Sequence, residues 1–211
     1  IHIMRGIPRP AVKENMPVKG TAVKAGSIAE PWDSCSWENS MFGVNFESEG
    51  AQAYYNSLIE LYASWGVDFI KADDIMYPEW HPKEIELIHQ AIAHVGRPIV
   101  LSLSLGEPQF YQAEFLAKNA NMWRISDDFW DNWESLEGQF DLCKFWANYR
   151  KPGTWPDADM LPVGHLALNG PKGEPRMSEF TWPEHTTLMT LWSIAQSPLM
   201  IGGALPSSPD S

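Results

Sequence analysis

A helical face, a glycine and then a short apolar strand: this unit recurs along the chain and constrains its fold more than any other feature. Tyr54, Leu58, Leu61, Tyr62 and Trp65 recur at three- and four-residue spacing and make one apolar helical face, with Gly66 where a C-terminal stop belongs. Val67-Asp68-Phe69-Ile70-Lys71-Ala72-Asp73 follows, an apolar run ending in charge. Such a run suits a strand buried along its body that delivers polar residues at its C-terminal end. Pro82 opens a second unit with Ile85, Ile88, Ile92 and Val95 on one face, Gly96 at its close and Ile99-Val100-Leu101-Ser102-Leu103-Ser104 behind it. A short helix near Gln112 to Lys118 leads to a strand at Met122-Trp123-Arg124-Ile125, and Trp133, Leu136, Phe140, Cys143 and Ala147 mark another helix before Lys151-Pro152-Gly153 breaks it. A last helix starts at Trp182-Pro183-Glu184 with Leu188, Leu191, Trp192 and Ala195 on one face, followed by Pro198-Leu199-Met200-Ile201.

Repeated α-then-β units with buried strands mean an α/β fold, a parallel sheet covered by helices. Strand candidates begin near Ile1, Val67, Ile99, Met122, Met160 and Leu199. An open doubly wound sheet usually binds phosphate through a Gly-rich turn after its first strand, and this chain has no such turn. A (β/α)8 TIM barrel lacking its first two units fits better: the type runs to about 250 residues, and the whole chain, residues 1–211, then reads as one incomplete barrel domain. The stretch from about Pro8 to Glu49 holds four Pro and little periodicity, as expected of a long βα loop on the active-site face. Ile1-His2-Ile3-Met4 already reads as a strand with nothing before it, so the chain is expected to be cut from a longer protein.

Composition narrows the partners. Lys and Arg number 15 against 27 Asp and Glu, a formal charge of -12, which argues against nucleic acid. No stretch approaches the roughly 18 consecutive apolar residues of a membrane span. Cys35 and Cys143 are too few for a disulfide scaffold and do not form a metal-ligand cluster.

In a barrel the C-terminal strand ends form the active-site rim. Here they supply Lys71, Asp73 and Asp74, then Ser102 and Ser104, then Arg124, Asp127 and Asp128, then Asp157 and Asp159. A rim of Asp without a His/Cys cluster suits a carboxylate pair, one nucleophile and one general acid, and glycoside hydrolysis is the leading instance. The same acids could hold Mg²⁺ or Ca²⁺, or be solvated loop acids on an acidic chain. His81, His89, His94, His165 and His185 are scattered, and His89 and His94 miss the spacing of a helical zinc pair. Ser102 and Ser104 lack a G-x-S-x-G setting. Trp32, Trp37, Trp80, Trp123, Trp130, Trp133 and Trp155 lie near loops or strand ends, where aromatic faces can pack on a pyranose, although for any one of them a core position is the commoner fate.

Trp65-Gly66-Val67-Asp68-Phe69-Ile70-Lys71-Ala72-Asp73-Asp74 resembles the W-G-V-D-x-x-K-x-D-N/G segment of glycoside hydrolase family 27, the α-galactosidases and α-N-acetylgalactosaminidases. Trp123 to Trp133 is similar to the family's W-R-x-x-x-D-I/F-x-D-x-W, Trp155 to Leu161 to its W-x-D-P/A-D-M-L, and Leu191-Trp192 with Ser197 to Gly202 to its last barrel unit. Four collinear motifs are far more specific than one. The resemblance implies a retaining hydrolase of terminal α-D-galactosides, or of α-N-acetylgalactosaminides or β-L-arabinopyranosides, covering barrel strands 3 to 8 and needing no cofactor and no metal. It places Asp73 as nucleophile and Asp128 as acid/base, with Lys71, Arg124, Asp159 and Ser104 as substrate-binding residues. Lys71, two residues before Asp73 and so on the same side of a strand, can pair with that carboxylate and bond a sugar hydroxyl. From sequence alone Asp127 competes for the acid role. The substrate is then a small glycoside or oligosaccharide, with neither nucleic acid nor membrane as partner, and the family favours a secreted or periplasmic location. A non-catalytic sugar-binding barrel is the alternative of another class.

The chain departs from the family pattern at several places. Ile75 stands where the family commonly has a Cys bridged to the preceding loop, so Cys35 is expected to lack that partner. Ser102-Leu103-Ser104 replaces S-C-E/S, which puts the small Ser104 where the family distinguishes a 2-hydroxyl from a 2-acetamido group, and Gly202-Gly203-Ala204 stands where members often carry Asp.

Overall fold

A computed structural model describes residues 1–104, 106–168 and 173–208, in two compact units, one built from 1–104 with 114–122 and the other from 106–113 with 123–208. In the first unit β1 (His2–Met4) runs into a stretch with structure of its own. This comprises β2 (Ile7–Pro8), α1 (Arg9–Lys13), α2 (Ala25–Ile28), β3 (Ala29–Glu30) and β4 (Met41–Val44), with β4 antiparallel to both β2 and β3. The long loop expected from Pro8 to Glu49 is therefore a small sheet with two helical turns. Its strands are only two to four residues long, too short to show a period of two in the sequence.

The β/α units then begin in earnest with α3 (Glu49–Ser64), β5 (Phe69–Asp73), α4 (Pro82–Val95) and β6 (Val100–Leu103). β5 lies between β1 and β6, parallel to both, with His2 opposite Lys71, Met4 opposite Asp73, and Lys71 opposite Ser102. Ile70 and Ala72 are fully buried on one face of β5, which leaves Phe69, Lys71 and Asp73 on the other. Both helices stop where the sequence indicated: Gly66 (φ 78°) follows the last turn of α3, and Gly96 (φ 68°) is the left-handed cap of α4. α3 packs on α4. On α4, Ile85, Ile88 and Ala91 are buried, close to expectation. α3 differs: it buries Ala51, Tyr55 and Ile59, while Leu61 and Trp65 of the expected face are exposed. Ala53, Tyr54, Tyr55, Leu58, Ile59, Leu61 and Tyr62 spread apolar surface around most of this helix, so spacing alone could not choose its inner side.

α5 (Ala113–Asn119) precedes β7 (Met122–Arg124). The second unit continues with α6 (Trp133–Trp146), β8 (Trp155–Asp157), the antiparallel pair β9 (His165–Leu166) and β10 (Arg176–Met177), and α7 (Trp182–Ala195). The Ile125 N–H donates to the Asp157 carbonyl at 3.0 Å, extending the neighbourhood of β7 and β8. α6 packs on α7; α6 buries Leu136, Gln139, Cys143 and Trp146, and α7 buries Leu188, Leu191 and Trp192. Trp133 and Phe140, expected on the inner face of α6, are exposed.

Two expected strands are corrected. The strand placed near Met160 starts at Trp155 and ends at Asp157, because Asp159 takes a left-handed φ of 77° and breaks the extended run. Leu199-Met200-Ile201 is apolar but among the described residues forms only one bridge, Ile201 parallel to Leu161: a strand needs a partner along its length, and none of its three side chains is buried. The tryptophans also divide differently. Trp32, Trp37, Trp133 and Trp155 are exposed and Trp123 alone of the seven is buried, packed edge-on against Trp146 at 5.9 Å. The indole is large enough that a loop rarely covers it completely.

Candidate active site

At the C-terminal end of β5, Asp73 is held from three sides. Ser104 Oγ donates to its Oδ1 at 3.0 Å, the Asp74 N–H donates to the same oxygen at 2.9 Å, and His2 Nε2 lies 2.9 Å from Oδ2. Parallel register produces this meeting. His2 is opposite Lys71, Ala72 is opposite Leu103, and one step further Ser104 comes beside Asp73 on the same face. Lys71 shares that face, yet among the described residues the basic side chain within reach of Asp73 is His2 and not Lys71. Ser104 is fully buried, so its hydroxyl is committed to Asp73.

Behind Asp73 lies a network that the sequence did not disclose. Arg5, on the turn after β1, puts its guanidinium on Asp33 with Nη1 to Oδ2 at 2.9 Å and Nη2 to Oδ1 at 2.6 Å. Its Nε donates to the Asp74 carbonyl at 2.5 Å and lies 3.1 Å from the Asp74 carboxylate, while Nη1 reaches Glu84 at 3.4 Å. The Tyr55 hydroxyl donates to Glu84 and accepts from the Gly6 N–H at 3.2 Å. Three carboxyl groups thus converge on one buried cation. Burial pushes the Glu84 carboxyl up to about 7 and Asp74 up to about 6, with Arg5 opposing both. Desolvation pulls the Arg5 guanidinium down, but its carboxylate partners outweigh that and hold it above its ordinary value. Gly43 makes room for the arrangement: a Cβ there would stand 2.1 Å from Asp33 Oδ2. Asp33, Glu79 and His81 also bring ligand atoms within 4.8 Å of one another, but Asp33 already gives both oxygens to Arg5, a cation in place. Cys35 is buried and free, as the sequence led one to expect.

In the second unit Arg124, at the end of β7 and 2 % exposed, joins two of the expected residues: Nη2 is 2.9 Å from Asp159 Oδ2 and 3.3 Å from Asp128 Oδ1. Asp159 also accepts the Phe129 N–H at 2.9 Å, and its own N–H donates to Asp157 Oδ1 at 2.9 Å. Asp159 therefore pins the loop carrying Asp128 to the end of β8. Asp127 spends Oδ1 on the Asp128 N–H at 2.7 Å, whereas the half-exposed Asp128 side chain projects toward Arg124. Both acids line a cavity of about 290 Å³ with Glu107, Glu134 and Gln139. Asp131, fully buried, accepts from Arg176 and from the Glu179 N–H at 2.7 Å, which fastens β10 to the same loop.

Of the residues expected from sequence, the structure brings Ser104 to Asp73, and Arg124 to Asp128 and Asp159, but does not pair Lys71 with Asp73; His2, Arg5, Asp33, Tyr55 and Glu84 were not among those expected. For His2 a signal existed: it lies on a strand parallel to β5, and the period of two puts it on the face of Lys71 and Asp73 once the register is known.

Parallel β/α units with acids at their strand ends mark a protein of the (β/α)8-barrel class. Residues 44–208 match the family described as alpha galactosidase A, and the chain belongs to that family, glycoside hydrolase family 27. Alpha-galactosidase 2 of Arabidopsis thaliana is 34 % identical over 148 residues, which is 69 % of this chain and 34 % of that protein. A family 27 β-L-arabinopyranosidase from Geobacillus stearothermophilus, solved in complex with arabinose, is 50 % identical and superposes with a TM-score of 0.95 over 100 % of this chain and 50 % of its own. A protein from Bacillus halodurans described as a putative alpha-N-acetylgalactosaminidase is 45 % identical with a TM-score of 0.80, again over 100 % of this chain and 49 % of its own. The chain therefore spans about half the length of these solved relatives, and its fold is an incomplete (β/α)8 barrel.

Proposed function

We propose that this chain carries the two catalytic carboxylates of a retaining glycosidase, as part of a single catalytic barrel domain. Its substrates are terminal pyranosides of the α-D-galacto configuration, with β-L-arabinopyranosides foremost. The observation that carries this reading is the three-sided hold on Asp73, which fixes both oxygens of a carboxylate at a strand end, as a nucleophile requires. In the first step an Asp73 oxygen attacks the anomeric carbon, the glycosidic C–O bond breaks, and the Asp128 proton passes to the leaving oxygen. In the second, Asp128 takes a proton from water, the water oxygen attacks the anomeric carbon, and the bond to Asp73 breaks. Two inversions give net retention. Arg124 orients Asp128 and Asp159, and Lys71 is free of Asp73 to meet a sugar hydroxyl.

β-L-Arabinopyranose is the α-D-galactopyranose ring without its hydroxymethyl group, so one pair of carboxylates serves both sugars. The likeness to the arabinopyranosidase over the whole chain favours the pentose. In the full-length protein, kcat/KM should be highest on an aryl β-L-arabinopyranoside, lower on the α-D-galactopyranoside and lowest on the α-N-acetylgalactosaminide, and NMR should show the first product with retained configuration. Inverted product, or no hydrolysis of any of the three, would refute the reading.

A further inference from the structure

Where β5 ends, the chain turns through Asp74 with φ 57°, a left-handed conformation that residues other than Gly, Asn and Asp rarely adopt. The direction in which Asp73 leaves the strand depends on this turn. Arg5 grips it at three points: its backbone N–H donates to the Asp73 carbonyl at 3.1 Å, its Nε donates to the Asp74 carbonyl at 2.5 Å, and the same Nε pairs with the Asp74 carboxylate. Asp33 and Glu84 hold the guanidinium from its other end, and Arg5 is 5 % exposed, so water is not available to replace these bonds. No contact joins the Arg5 side chain to the Asp73 carboxylate among the described residues.

We propose that Arg5 is a positioning residue for catalysis: it fixes the left-handed turn at Asp74 and, through it, the aim of the Asp73 carboxylate. The inference rests on Asp73 being the nucleophile. Lysine keeps the charge but presents one ammonium where the guanidinium presents a fork, so it cannot satisfy Asp33 and the Asp74 carbonyl together. A misplacement of the nucleophile by a fraction of an ångström lowers turnover more than binding.

The test uses the full-length protein and an activated aryl β-L-arabinopyranoside. Arg5→Lys should lower kcat by about 10–100-fold with KM changed by less than about threefold. Asp74→Asn, which keeps the turn and removes the ion pair, should lower kcat by a smaller factor and serves if Arg5→Lys does not fold. The decisive arm places Arg5→Lys in an Asp73→Gly background, where added azide replaces the carboxylate and yields a glycosyl azide of inverted configuration. If Arg5 acts through Asp73, the azide-supported rate is the same with Arg5 or Lys at that position. An equal fall in both backgrounds would mean a general disturbance and overturn the proposal, as would unchanged kcat in both Arg5→Lys and Asp74→Asn. Undiminished activity of Asp73→Gly alone would overturn the nucleophile assignment itself and this inference with it.

Discussion

Asp127 and Asp128 are neighbours in sequence and both are exposed, and their hydrogen bonds tell them apart. Asp127 caps the backbone of Asp128, while Asp128 reaches Arg124. An acid/base group is needed most when the leaving group is poor. In the full-length protein Asp128→Ala should therefore retain far more activity on an aryl glycoside with a good leaving group than on an alkyl one, and azide should accelerate it. Asp127→Ala should show neither behaviour; azide acceleration of that variant instead would move the acid/base role to Asp127. Ser104 carries a related prediction. Its buried hydroxyl is spent on Asp73, so Ser104→Ala should lower kcat by about tenfold, the worth of one hydrogen bond to a charged group, with little change in KM. Ser104→Glu would bury a second carboxylate beside Asp73 and should depress activity on every sugar, whereas a changed ratio between 2-hydroxyl and 2-acetamido substrates would instead return Ser104 to the specificity role. At this scale the sequence exposed the strand-end acids, because charge ending an apolar run is visible locally. It hid Arg5, whose partners Asp33, Asp74 and Glu84 lie 28 to 79 residues away and converge only when β1, the segment between β3 and β4, β5 and α4 come together.

The elements were legible where glycine, proline and a clear apolar face coincided. α4 fits this description in full, and α7 has the Pro at its first turn and the expected buried stripe but ends at Gln196 and not at a glycine. They were obscure where apolar residues encircled a helix, as in α3, or where strands were too short to repeat, as in β2, β3, β9 and β10. One motif residue also serves an element: Asn132, inside the Trp123 to Trp133 segment, accepts the Ser135 N–H at 2.9 Å and caps α6. Asn132→Ala should destabilise the protein by about 1 kcal/mol, seen as a melting temperature lower by a few degrees with KM unchanged. Unaltered melting would show that the cap contributes nothing to α6.

For the molecule as a whole, the excess of acid over base is not confined to its surface. Glu84 sits fully inside the first unit among Asp33, Asp74, Arg5 and Tyr55, with His81 near the same cation. Its carboxyl rises from an ordinary 4.5 to about 7, first because of burial, with the Tyr55 hydroxyl and Arg5 opposing, and Asp74 rises from 3.8 to about 6 for the same first reason. At these two groups the folded state consequently binds more protons than the unfolded state between about pH 4 and 7. Stability rises with pH only where the unfolded state binds more protons, so here the sign is the reverse: this contribution is complete below about pH 4, falls as pH climbs through 7, and is flat beyond. For Glu84 the fall is on the order of 3 kcal/mol. Glu84→Gln keeps the shape and removes the titration. Urea unfolding followed at pH 5 and pH 8 should show wild type losing more stability than Glu84→Gln over that interval. Parallel losses in the two proteins would mean that Glu84 stays ionised throughout and that Arg5 supports three carboxylates at once.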